Sequence, residues 1–309
     1  TKSFKKAIKI KPDYVDAIYN LGNTYRELDQ LDKSIKSYKK VINISPEHEE
    51  AQHNLGVSLY EFGLLFEAIE HFEKALITNP NNTKIQINLG NILGELDQPY
   101  EAIEQYEKVL INEPKNSIAL NNLGNVLRDI GQTEEAIEYY INALKINKNY
   151  SEAHYNLGHI YQALGQFEQA IIQYENTIAI NNSPLAYQSL SFLKNYKPND
   201  PQITKMKSLL KSGNLSQLEC IHIYFALANI YEKLGMQVDF FRYLDEGNRL
   251  QKKESNYSLS KTSREHSSIK EIFRPTVTSI KDSSKIYNSE KRPIFIVGMP
   301  RSGTTLIEQ

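Results

Sequence analysis

Asn20-Leu21-Gly22-Asn23-Thr24-Tyr25 returns thirty-four residues later as Asn54-Leu55-Gly56-Val57-Ser58-Leu59, and then three more times, beginning at Asn88, Asn122 and Asn156. Around each Leu-Gly the companions keep register. Ser34, Ala68, Ala102, Ala136 and Ala170 follow each Leu by thirteen residues, and Tyr38, Phe72, Tyr106, Tyr140 and Tyr174 follow by seventeen. A fixed period of this length marks one supersecondary unit copied along the chain, each copy burying its apolar face only against its neighbours. Small side chains let two helices approach, and the aromatics fill the gap to the next pair. Pro46, Pro80 and Pro114 stop the second helix of a unit, because proline cannot continue a helix. Lys148 and Asn182 stand in that place in the last two copies.

The period and its companions resemble tetratricopeptide repeats, stacked helical hairpins that form a superhelix. Residues 1–182 then read as an all-α array: a partial first repeat from Lys2 to Pro12, with Phe4 and Ala7 in register, and five full repeats. After Asn182 the register breaks. Ser183-Pro184, Lys197-Pro198-Asn199-Asp200-Pro201 and Ser212-Gly213-Asn214 punctuate shorter helices. A repeat-like hairpin returns over Leu218 to Lys253, so residues 183–254 read as irregular helices closed by a final pair. Residues 255–291 are Ser/Lys-rich and weakly periodic, the composition of a connector.

First helices line the concave surface of such an array. Asn20, Asn54, Asn88, Asn122 and Asn156 therefore repeat one polar group on one face. One helical turn on come Asn23, Val57, Asn91, Asn125 and His159, so three repeats carry two Asn on a common face. An amide side chain both donates and accepts, which suits the main chain of an extended peptide. The array resembles the repeats of O-linked N-acetylglucosamine transferases, whose similar asparagine ladder grips peptide backbone. That resemblance implies a protein or peptide partner in the groove, contacted by Asn20, Asn23, Asn54, Asn88, Asn91, Asn122, Asn125 and Asn156. The same residues also suit a second role, bridging neighbouring helices.

Composition narrows the remaining classes. Thirty-six basic against 37 acidic residues give a net charge of −1, which leaves no global basic footprint for nucleic acid. No apolar run approaches the roughly 18 residues needed to cross a bilayer. The lone Cys220 excludes an internal disulfide framework and fits a reducing, cytoplasmic setting. The seven histidines show no metal-ligand spacing, since the nearest pairs, His48 with His53 and His154 with His159, are five apart and off a shared helical face. No metal is expected.

Near the C-terminal end, the apolar run Ile294-Phe295-Ile296-Val297 reads as a buried parallel strand, Gly298-Met299-Pro300 as a turn, and Thr304 to Glu308 as a helix start. Backbone N–H groups at a helix start favour phosphate or sulfate, and Gly303 lets the backbone come close. The spacing Gly298-x-x-x-x-Gly303-Thr304-Thr305 is that of an ATP-binding loop except that Thr304 stands where that loop has lysine. Pro300-Arg301-Ser302-Gly303-Thr304-Thr305-Leu306 instead resembles the 5′-phosphosulfate loop of sulfotransferases, in the form found in tyrosylprotein sulfotransferases and bacterial relatives with tetratricopeptide repeats. Residues 292–309 would then begin a P-loop α/β sulfotransferase domain cut short, in a chain truncated at both ends.

That resemblance implies transfer of a sulfuryl group from 3′-phosphoadenosine 5′-phosphosulfate to an acceptor, with protein tyrosine suggested by the loop type. Ser302, Gly303, Thr304 and Thr305 would hold the 5′-phosphate, and Arg301 would also stabilise the transition state. The general base would lie beyond Gln309, leaving residues 1–309 inactive by themselves. The alternative is a non-catalytic protein-interaction scaffold.

Overall fold

The computed structural model describes residues 1–254; the expected connector, the strand expected at Ile294–Val297 and the loop expected at Arg301–Thr305 lie outside the described residues. Among the described residues every regular element is helical. The repeats run α1 (Lys2–Ile10), α2 (Val15–Glu27), α3 (Leu31–Ile44), α4 (Glu49–Glu61), α5 (Leu65–Thr78), α6 (Thr83–Glu95), α7 (Pro99–Asn112), α8 (Ser117–Asp129), α9 (Thr133–Ile146), α10 (Ser151–Ala163) and α11 (Phe167–Asn181). Four more follow: α12 (Pro184–Leu193), α13 (Pro201–Ser212), α14 (Gln217–Lys233) and α15 (Gln237–Glu254). The array from Thr1 to Leu250 is one compact unit.

Each hairpin turn is set by one left-handed residue. Asp29, Gly63, Asp97, Gly131 and Gly165 all have φ between 54° and 86° and again keep the period. The next N–H reaches back across the helix end, as from Gln30 to Tyr25 O at 2.8 Å and from Gln132 to Leu127 O at 2.8 Å. This satisfies a carbonyl that the helix terminus would otherwise orphan and reverses the chain in few residues. Glycine enters the left-handed region without cost, and aspartate is among the side chains that tolerate it.

Packing within a repeat turns on the Leu-Gly pair. A Cβ added to Gly22, Gly56, Gly90 or Gly124 would sit 2.6–2.8 Å from the ring of Tyr38, Phe72, Tyr106 or Tyr140 respectively. At Gly158 the corresponding distance to Tyr174 is 3.0 Å. The second helix thus sets an aromatic ring against the bare backbone of the first, and those rings are all but fully buried. The small residues Ser34, Ala68, Ala102, Ala136 and Ala170 are completely buried where the helices meet. Beyond α11, Gly235 repeats the left-handed turn between α14 and α15. There Ala228 occupies the glycine position and Leu244 the aromatic one, so the two change together. The close approach reappears reversed: the Phe225 ring lies where a Cβ on Gly247 would fall, at 2.9 Å. Tyr231 and Tyr243 stack nearby with centroids 5.5 Å apart and ring planes within 4°.

Candidate functional site

Successive first helices approach one another closely (α2 with α4, α4 with α6, α6 with α8, α8 with α10), whereas successive second helices stand further apart, with the exposed Lys39–Glu67 ion pair at 3.3 Å reaching from α3 to α5. The first-helix layer is the inner, more tightly curved one, and it carries the asparagine row.

The amides of that row are tied together across repeats. Asn122 Nδ2 donates to Asn91 Oδ1 at 2.9 Å, Asn156 Nδ2 to Asn125 Oδ1 at 2.9 Å, and Asn54 Nδ2 to Asn23 Oδ1 at 3.2 Å and to the Tyr19 hydroxyl at 2.8 Å. Each accepting oxygen takes a second bond from within its own repeat. The hydroxyls of Tyr38, Tyr106 and Tyr140 donate to Asn23, Asn91 and Asn125 at 2.5, 2.7 and 2.7 Å. A buried hydroxyl needs such a partner. In the second repeat both halves of this arrangement are missing at once, with Val57 for the asparagine and Phe72 for the tyrosine. Asn88, lacking the Asn acceptor, turns its Nδ2 to His53 Nε2 at 3.3 Å. His53 has its pKa lowered, chiefly by burial, which favours the neutral ring, the form in which a ring nitrogen can accept. Asn20, at the start of the array, donates to Asp16 O within its own helix at 2.8 Å.

The bridging leaves part of each amide open. In the bonds the described residues make, Asn125 uses only its oxygen and Asn156 only its nitrogen. Asn122 and Asn125 line two adjoining cavities on this face. One, of about 580 Å³, lies between α8, α10 and the α11–α12 turn, with Asn121, Tyr155 and Asn156 on its walls. The other, of about 420 Å³, lies between α6 and α8 beside Gly94, Glu95 and Asp129. Tyr60 donates its hydroxyl to Glu95, and burial followed by that carboxylate pushes its pKa up to about 12. Tyr19 and Tyr155 pack on Tyr38 and Tyr174 at 5.9 and 5.5 Å between ring centroids.

Reading the sequence by period alone misses Asn121. Its register positions hold Tyr19, His53, Ile87 and Tyr155, and the departure at 121 is the signal that could have found it. Also missed was a pairing on the outer side of the same helices. Gln52 Nε2 donates to Pro46 O at 3.0 Å while its oxygen meets His71 Nδ1 at 2.7 Å. Gln86 repeats the first bond, to Pro80 O at 2.9 Å, but its buried oxygen has no partner. Among the described residues no group of three or more His, Cys, Asp or Glu is placed to hold a metal ion, and no helix is long and apolar enough to cross a membrane.

Comparison with known proteins matches this geometry. Family models described as TPR repeat or tetratricopeptide repeat match residues 3–36, 22–63, 50–79, 83–116, 105–138, 124–165 and 151–184. The chain belongs to the tetratricopeptide-repeat family. An uncharacterized protein of Aquifex aeolicus (strain VF5) is 36% identical over 122 residues, a stretch that spans 38% of this chain and only 15% of the relative. Among solved structures, Pseudomonas aeruginosa pilF is 21% identical with a TM-score of 0.53, covering 66% of this chain and 94% of its own. The Cut9–Hcn1 hetero-tetramer of APC/C is 18% identical with a TM-score of 0.57, covering 72% of this chain and 45% of its own. At these identities the likeness is one of fold.

Proposed function

We propose that the array is a polypeptide-binding module whose inner face holds an extended segment of a partner protein. The observation that carries this reading is the asparagine row, fixed by Tyr–Asn–Asn bonds yet left with open amide atoms over two adjoining cavities. Amides already held in place cost little to order when a ligand arrives. Extended inner surfaces are also what stacked repeats present to partners. The test is titration of the full chain with unstructured peptides, comparing wild type with Asn88→Ala/Asn122→Ala and using circular dichroism to confirm folding. Affinity about ten-fold weaker or more supports the reading, in line with the loss of hydrogen bonds worth roughly 1 kcal/mol each. Unchanged affinity in a folded variant sinks it.

A second reading takes in the C-terminal residues 292–309: the array delivers a protein acceptor to a sulfotransferase. It is favoured by the sequence Pro300-Arg301-Ser302-Gly303-Thr304-Thr305-Leu306 after an apolar β-branched run. In this reading 3′-phosphoadenosine 5′-phosphosulfate is the donor. Arg301 faces the charge that grows on the leaving oxygen, and a well-placed donor there contributes about 3 kcal/mol. In a protein that carries a complete sulfotransferase domain around this loop, Arg301→Ala is expected to lose both donor binding and turnover, and normal values for both would remove the assignment.

A further inference from the structure

Resting on the polypeptide-binding reading, we propose that the cavity between the fourth and fifth repeats is a selectivity pocket for a carboxamide side chain, an Asn or Gln of the bound segment. Where other repeats place a large group, Asn121 lowers the floor of the groove. It is only 3% exposed, and it donates to Asn122 Oδ1 at 3.2 Å while accepting from Asn156 Nδ2 at 3.1 Å. The space so opened, about 580 Å³, is large enough for a long side chain and is walled by neutral polar groups. Its one formal charge, Glu152, already accepts the Ser151 hydroxyl at 3.3 Å.

The hydrogen-bond pattern names the occupant. Asn156 spends its nitrogen on the oxygens of Asn121 and Asn125, at 3.1 and 2.9 Å, and keeps its own oxygen open. Asn125 spends its oxygen on Asn156 and on the Tyr140 hydroxyl and keeps its nitrogen open. One donor and one acceptor are thus left on a pair of amides already joined to each other. A primary carboxamide carries an acceptor and a donor side by side on one edge and can answer both. A trans peptide group carries them on opposite edges and can answer only one. A carboxylate would set oxygen against the Asn156 oxygen, and an ammonium would offer nothing to the Asn125 N–H. Ile118 and Leu185 line the same cavity and cover the methylenes.

The experiment is binding of the full chain to positional-scanning peptide libraries in which one position at a time is fixed as Asn, Gln, Asp, Glu, Lys, Ser or Leu. Wild type is expected to favour Asn or Gln at one position by about ten-fold over Asp or Glu. Asn125→Asp keeps the oxygen that receives Tyr140 and Asn156 but replaces the free N–H by an acceptor. It should erase the preference for Asn and Gln and raise that for Lys. Asn121→Tyr, the residue found at positions 19 and 155, should fill the pocket and flatten that position altogether. Binding without side-chain preference, or a carboxamide preference that survives Asn125→Asp, overturns the pocket while leaving the groove in place. Absence of binding to any library overturns both.

Discussion

A hydroxyl buried against its neighbour is stable only where something accepts from it, and the repeats of this chain supply an internal comparison. Tyr38, Tyr106 and Tyr140 face Asn23, Asn91 and Asn125, while Phe72 shares its repeat with Val57. Phe72→Tyr alone would put a hydroxyl where the neighbouring side chain cannot accept. An unsatisfied buried polar group costs about 1–3 kcal/mol, so the expected result is destabilisation of that size in urea unfolding. Adding Val57→Asn restores the pair present in three other repeats and should recover most of the loss. Equal stability of the single and double variants would show that the hydroxyl finds another partner. Period reading sees both columns but treats them as separate features of the repeat. Their dependence on each other becomes legible only when Val57 and Phe72 are noticed to depart together.

At the scale of the helix, three of the first helices, α4, α6 and α10, are secured at their outer side by a bond back to the preceding loop. Gln52, Gln86 and His154 reach Pro46 O, Pro80 O and Lys148 O at 3.0, 2.9 and 3.1 Å. What differs is the second helix opposite. His71 meets the Gln52 oxygen, and Gln173 meets His154 Nδ1 at 2.7 Å, but the Gln86 oxygen stays unpaired in a residue only 4% exposed. Gln105 stands at the register position of His71. Gln105→His should copy the Gln52–His71 bond and raise stability by about 1 kcal/mol at neutral pH, read from the unfolding midpoint. No gain would mean that the oxygen is already served by solvent. Helix order was legible in the sequence because it follows from the period and from the prolines that stop the second helices. Bridging of neighbouring helices was one of the two roles the asparagines offered, but the pairing of Asn54 with Asn23, Asn122 with Asn91 and Asn156 with Asn125 was not legible, because it spans 31 residues rather than the repeat length and depends on how one helix leans on the next. The cavity at Asn121 was hidden for the opposite reason: it exists where one residue fails to repeat.

Across the whole array the buried tyrosines make stability depend on alkaline pH. Burial is the first cause of the shift at Tyr38 and Tyr187, whose pKa values rise from 10.0 to about 12, and at Tyr106, Tyr140 and Tyr174, which are pushed further in the same direction. A phenol that holds its proton more tightly when folded stabilises the fold fully below its unfolded pKa. That contribution shrinks once the pH passes about 10, the unfolded value, and is gone when the pH has risen through the folded value near 12. Because Tyr106, Tyr140 and Tyr174 sit in three consecutive repeats, and each repeat leans only on its neighbours, ionising one of these loosens the interfaces that bury the next. The expected outcome is a flat helix signal to about pH 10 and then a cooperative loss above it, with phenolate absorbance rising in step. Tyr38→Phe leaves Asn23 without its hydroxyl donor and lowers stability at neutral pH, yet it should move the alkaline midpoint upward relative to that baseline, since one titrating group is removed. Phenolate absorbance that reaches its full value while the helix signal is still native would contradict the coupling.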